Sequence, residues 1–236
     1  MHRLPIRRGL SAVLLVAAVV PLIACQPAAT TQLAPSDPPP PPQDHGYDLI
    51  GWAPSSSYVI RIHPSAAALT PDIVSAAAEV SRLTGITMTV GPAATGTSPD
   101  LVSTTPEITV VLGSYCPPPA VGCAELWGQF ALNWDDAHVI RDVRVSVVPS
   151  IVGDSAHRRP ILLHELGHAV GLDHHEELFL GRRQVMSPAV DATMVAYREG
   201  DEAGLAAVGA DARPPTASLV APGGEARIAP PTAMIG

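Results

Sequence analysis

Residues 161–174 read Ile161-Leu162-Leu163-His164-Glu165-Leu166-Gly167-His168-Ala169-Val170-Gly171-Leu172-Asp173-His174. Ile161, Leu162, Leu163, Leu166, Ala169 and Val170 ask for a helix buried on most sides, and such a helix is a rigid mount for whatever it carries. At 3.6 residues per turn, His164 and His168 stand one turn apart on one face, so two imidazoles can converge on a single ion. Gly171 falls where the helix should stop. Glycine accepts the left-handed backbone that turns a chain sharply, and the turn can bring His174 back as a third ligand. Three neutral imidazoles suit zinc, and three protein ligands leave a fourth position for water, the mark of a catalytic rather than a structural site. Glu165, beside the first ligand, can reach that water as a general base. His175 follows directly; the spacing favours His174 as the ligand and leaves His175 and Asp173 as neighbours. Chance supplies this five-position pattern in only roughly 4 of 100,000 chains of this length and composition.

His164, Glu165, His168, Gly171 and His174 match the pattern HExxHxxGxxH, and Met186 stands about a dozen residues further on. On these residues the chain resembles the metzincin zinc proteases, and most of all short bacterial matrixin-type catalytic domains, over about residues 164–188. The resemblance implies an α+β or mixed α/β fold: a twisted mixed sheet, an upper helix, the active-site helix and a C-terminal helix. It makes Val185-Met186-Ser187-Pro188 a Met-turn, with Met186 an apolar floor beneath the imidazoles and Pro188 a wall of the pocket for the residue after the cleaved bond. The chain also departs from its models. Val190 stands where matrixins carry a tyrosine, and Pro188 where astacins and serralysins carry one. Trp127-Gly128-Gln129-Phe130-Ala131-Leu132 reads either as the edge strand that metzincins lay above the zinc or as an internal hairpin strand. Asp135, Asp136 and His138 read as a solvated turn, and the matrixin calcium and second-zinc ligands are not visible, so a single zinc is expected. Tyr197 to Gly209 resembles the last metzincin helix, with Asp201 to Leu205 echoing the matrixin ending.

The remaining segments fall in order around this centre. Residues 1–25 form an export signal, with Arg3, Arg7 and Arg8 ahead of an apolar run shorter than a bilayer span. It ends in Leu22-Ile23-Ala24-Cys25, which resembles a lipobox; the other reading is an ordinary secretory signal with an incidental cysteine. Residues 26–46, with five consecutive prolines, read as a linker. The catalytic domain is expected over 47–210 and a structureless tail over 211–236. Within the domain, Tyr58 to Ile62 alternates as a strand closed by Pro64. Thr70-Pro71-Asp72 opens a helix with Thr70 as its cap, and Gly85 stops it. Ile86 to Val90, Ile108 to Leu112 and Val143 to Val147 read as further strands, and Asp154 or Ser155 caps the helix that carries His164 and His168. With Cys25 lipidated, Cys116 and Cys123 are the only thiols left in an exported chain, so pairing with each other is the economical reading, two free thiols the other.

Composition excludes as much as it suggests. The net charge is −8 and all 14 positive residues are arginine, so no basic surface points to nucleic acid. Together these features lead to a zinc endopeptidase acting on peptides or proteins, held on the outer face of a bacterial membrane by a lipid at Cys25, or secreted without it. Two rivals keep the zinc: a non-catalytic envelope lipoprotein, and an amidase of cell-wall peptides.

Overall fold

Strand β3 (Ser57–Ile62) turns Tyr58, Ile60 and Ile62 to the core and leaves the residues between them half-buried, the period-2 pattern of a strand with one covered face. The computed structural model describes residues 44–101, 103–129, 139–214 and 232–233. The expected export signal with Cys25, the expected linker up to residue 43, Phe130 to Leu132, Asp135, Asp136, His138 and most of the expected tail lie outside the described residues. Among the described residues no helix is long and apolar enough to cross a membrane.

After β3, Pro64 opens a 3-10 turn (Pro64–Leu69) that runs directly into α1 (Thr70–Thr84). Thr70 was expected to cap α1 and does not. Its amide and its hydroxyl both donate to the Ala67 carbonyl, because the preceding turn already supplies the carbonyls that a helix start needs. Ile73, Ala76, Ala77 and Val80 form the buried stripe of α1, and Gly85 ends it with φ of 73°. The helix returns the chain so that β4 (Thr87–Val90) lies parallel to β3, a pairing that two-residue turns cannot make. β5 (Glu107–Leu112) is parallel to the other side of β3, and β7 (Val139–Val147) is parallel to β5. β6 (Gly122–Gln129) lies antiparallel to β7, with the short β9 (Thr232–Ala233) antiparallel on its other side. The sheet therefore runs β4-β3-β5-β7-β6-β9, with β2 (Ala53–Pro54) beside the start of β7. This is a mixed α/β arrangement with a mostly parallel central sheet.

Where β6 meets β7 the register slips: Trp127 faces Asp142, but Gly128 faces Ile140. Arg141 is thus an extra residue, and a bulge of this kind shifts the side-chain parity. Its consequence is that Ile140 and Val143 both enter the core. β6 also starts earlier than Trp127. Cys123 to Leu126 have modest strand preference, yet pairing with the valine-rich β7 recruits them.

The helices α1, α2 (Arg158–Val170) and α3 (Glu199–Ala210) share one core cluster with the Ile and Val residues of the sheet. The alternate positions of the central strands carry charge: Arg61 meets Glu107 at 2.5 Å, Arg144 pairs with Glu125, and Asp142 lies 3.7 Å from Arg141. Packing extends beyond both expected domain limits. Asp44 and Gly46 already contact His175, Phe179 and Gly200. Beyond α3, Arg213 bridges to Ser55, and β9 (Thr232–Ala233) pairs with Glu125 and Leu126, so the expected tail joins the sheet at these points.

Candidate metal centre

The 3-10 turn Pro149–Gly153 delivers the chain to α2. Asp154 or Ser155 was expected to cap α2, but the helix begins at Arg158 after His157 with no side-chain cap, and Asp154 instead organises the turn just ahead of it. Its Oδ1 accepts from the amides of Ala156 and His157 at 3.2 Å each, while Oδ2 meets His157 Nδ1 at 2.7 Å. Pro160 sits within the first turn, where its missing amide leaves no bond unmade. From Pro160 to Val170 every residue is buried. Gly171 stops the helix with φ of 114°, and its amide donates to the His168 carbonyl at 3.0 Å. β8 (Leu172–Asp173) follows, antiparallel to β1 (Asp48–Leu49).

This turn brings His174 back over α2. The Nε2 atoms of His164, His168 and His174 lie 3.0, 3.1 and 3.2 Å from one another. Nδ1 of His164 faces the Val185 carbonyl at 2.8 Å, and Nδ1 of His168 faces the Leu172 carbonyl at 2.8 Å. A carbonyl can only accept, so each Nδ1 carries the proton and each Nε2 offers its lone pair to the centre. Burial disfavours the charged form of all three rings: it pulls His164 down to about 4, takes His168 well below the usual range, and lowers half-buried His174. The bare Nε2 atoms of His164 and His168, 3.0 Å apart, repel unless something positive joins them. Among the described residues, these three form the group that could hold a metal ion.

Glu165 is buried beside them, and its Oε2 has no hydrogen-bond partner in the protein. Burial raises its pKa well above the usual carboxylate range. The first residue of β6, Gly122, lies directly against Glu165: a Cβ built there would collide with Oε1. The end of the sheet thus passes next to this carboxylate.

Met186 is buried against α2, with its sulfur 2.5 Å from where a Cβ on Gly167 would stand. Its segment is pinned from two sides. Asp201 on α3 accepts from the amides of Val185 at 2.8 Å and Met186 at 3.1 Å. The Met186 carbonyl in turn accepts from the His175 amide at 3.0 Å. Gln184 reaches the start of α3 through its Oε1, 3.0 Å from the Gly200 amide. His175 turns away from the imidazole cluster; its Nδ1 lies 2.9 Å from Asp48 and its Nε2 3.4 Å from Asp44.

A cavity of about 360 Å3 is lined by Val121, which precedes Gly122, by Ile161, one helical turn before Glu165, by Pro188 and Val190 and, elsewhere on its wall, by Ser150, Asp154 and His157. Cys116 and Cys123 stand at disulfide distance, with Cα atoms 5.7 Å apart. The structure therefore gathers His164, Glu165, His168, His174 and Met186 at one point and sets Pro188 in the adjoining wall. Gly122, Asp201 and Gln184 were not read from the sequence as part of the centre. Only Asp201 left a trace, in the Asp201 to Leu205 echo. No protein-family model matches the chain, and no curated protein matches it by sequence.

Proposed function

We propose that the chain is a zinc-dependent endopeptidase of the metzincin type, and the observation that carries this reading is the buried, unpartnered Oε2 of Glu165 beside three converging imidazole nitrogens. The donor set fits zinc. Tetrahedral zinc, with Zn–N of about 2.0–2.1 Å, spreads three nitrogens roughly 3.3–3.4 Å apart, and 3.0 to 3.2 Å is found. Hence His164, His168 and His174 would hold the ion through small ring shifts. When bound, zinc supplies Lewis-acid polarisation of a carbonyl and acidifies water.

The chain's own groups do the rest. Glu165 Oε2 takes a proton from the attacking water and passes it to the leaving amine, and its buried setting favours a carboxylate able to hold that proton. Gly122 lets the main chain of β6 lie against the Glu165 carboxylate, and an extended peptide could pair with the β6 main chain ahead of the Glu125 and Leu126 positions that β9 takes. The cavity flanked by Ile161 and Pro188 then receives the side chain that follows the cleaved bond. A closed structural site would need a fourth protein ligand. His175, the nearest candidate, is engaged with Asp48 and Asp44.

Digestion of a peptide library with and without a chelator tests the activity. Glu165→Ala should keep one zinc per chain and lose at least about 100-fold in cleavage rate. His164→Ala or His168→Ala should lose zinc and cleavage together. Undiminished proteolysis by zinc-loaded Glu165→Ala would remove the assigned base. Anchoring through Cys25 belongs to the same proposal, and labelled palmitate that still enters Cys25→Ala would remove the anchor.

A further inference from the structure

The cavity lined by Ile161 and Asp154 does not have a uniform wall. Ile161 lies one helical turn before Glu165, and Val121 adjoins Gly122, so these apolar walls stand next to the reacting centre. His157 lies a further turn back along α2. At 1.5 Å per residue, His157 is roughly 12 Å from Glu165 along the helix axis, a span that only a long side chain can bridge from a backbone held at Glu165.

That distant end offers acceptors. The amides of Ile151, Asp154 and His157 are already engaged by the carbonyls of Val148, Ile151 and Asp154. Asp154 accepts two amides at Oδ1 and faces one ring nitrogen at Oδ2. A carboxylate has about four lone-pair sites, so one remains at Oδ2. The His157 contact, first among its causes, holds the Asp154 carboxyl below its usual range. The guanidinium of Arg158, four residues on, is occupied by the Ile151 and Val152 carbonyls and lies 3.9 Å from Asp72.

We propose that this cavity selects substrates with lysine or arginine directly after the cleaved bond, the apolar stem lying between Ile161, Val121 and Pro188 and the cationic end meeting Asp154. The inference rests on the endopeptidase reading for the position of the bond, and on the cavity alone for the chemistry of its guest. Long cationic side chains combine an apolar stem with a charged tip, which suits this lining. The Asp154 side chain is 46% exposed, so water screens the pair and the preference is modest.

The test uses peptide pairs that differ only at that residue, lysine against norleucine and arginine against citrulline, with the zinc-loaded chain at pH 8. Wild type should show a kcat/KM about fivefold to tenfold higher for the charged member. Asp154→Asn and Asp154→Ser, which both keep an oxygen for the Ala156 and His157 amides, should bring the ratio below about twofold. Binding of the same pairs to zinc-loaded Glu165→Ala, read by fluorescence anisotropy, separates the two proposals. A charge preference in binding without any cleavage by wild type overturns the endopeptidase and leaves the cavity assignment standing. Cleavage with a ratio near one, or a preference that survives both Asp154 variants, overturns the cavity assignment and leaves the endopeptidase. Neither cleavage nor binding overturns both.

Discussion

Gly122 and Asp142 show how much single positions on the sheet decide. At Gly122 any side chain would occupy the space of the Glu165 carboxylate. Gly122→Ala should therefore displace Glu165 and lower peptide cleavage at least about tenfold, while zinc content stays at that of wild type; equal rates in the two proteins would show that β6 does not confine the base. Asp142 is 3% exposed, and burial raises its pKa to about 7 against Arg141, which pulls it down. The sign follows from proton counting. Between about pH 4 and 7 the folded chain keeps a proton on Asp142 that the unfolded chain has released, so this group's contribution to stability falls as pH rises. Three units correspond to about 4 kcal/mol at most. An asparagine can still accept from the Glu107 amide, which now donates to Asp142 at 3.2 Å. Asp142→Asn should consequently be more stable than wild type at pH 8 and gain little at pH 4; denaturant titrations giving the same difference at both pH values would exclude this account.

The elements that hold the imidazoles differ in how openly the sequence declares them. α2 was readable because its burial, its histidine spacing and its stop at Gly171 all lie within fourteen consecutive residues, and local rules act on such distances. The support was less readable because it depends on residues remote in the chain: Val185 orients His164, Asp201 holds Val185 and Met186, and Gln184 holds the start of α3. Asp201 is fully buried and also accepts from the Arg198 amide. Removing its carboxylate leaves three amides without their acceptor, two of them in the segment that orients a ligand. Asp201→Ala should destabilise the fold by about 2–4 kcal/mol and weaken zinc binding about 10-fold to 100-fold. Competition with a chromogenic chelator reads the second effect, and a variant that is less stable but binds zinc as wild type does would confine Asp201 to folding.

Across the whole molecule, the same contrast separates composition from register. The strands β3, β4, β5 and β7 could be read from the sequence, β3 and β7 by their alternation, but their order could not, because parallel pairing joins segments such as β3 and β5 through a long crossover that leaves no local mark. The cross-strand ion pairs Arg61–Glu107 and Arg144–Glu125 were hidden for the same reason. The metal centre spans these levels: His164 and His168 belong to a helix embedded in the one large core, whereas His174 lies on the chain after β8. An ion shared by the three closes that loop onto the core, and since the unfolded chain has no such triangle, binding must stabilise the fold. At free zinc 100 times Kd the gain is about 2.7 kcal/mol, which for a chain of this size raises Tm by roughly 5–10 °C. His174→Ala should erase most of that rise yet melt close to chelator-treated wild type, because a half-exposed ring on the loop adds little packing of its own. Equal zinc-induced shifts in His174→Ala and wild type would mean that the third imidazole takes no part in holding the ion.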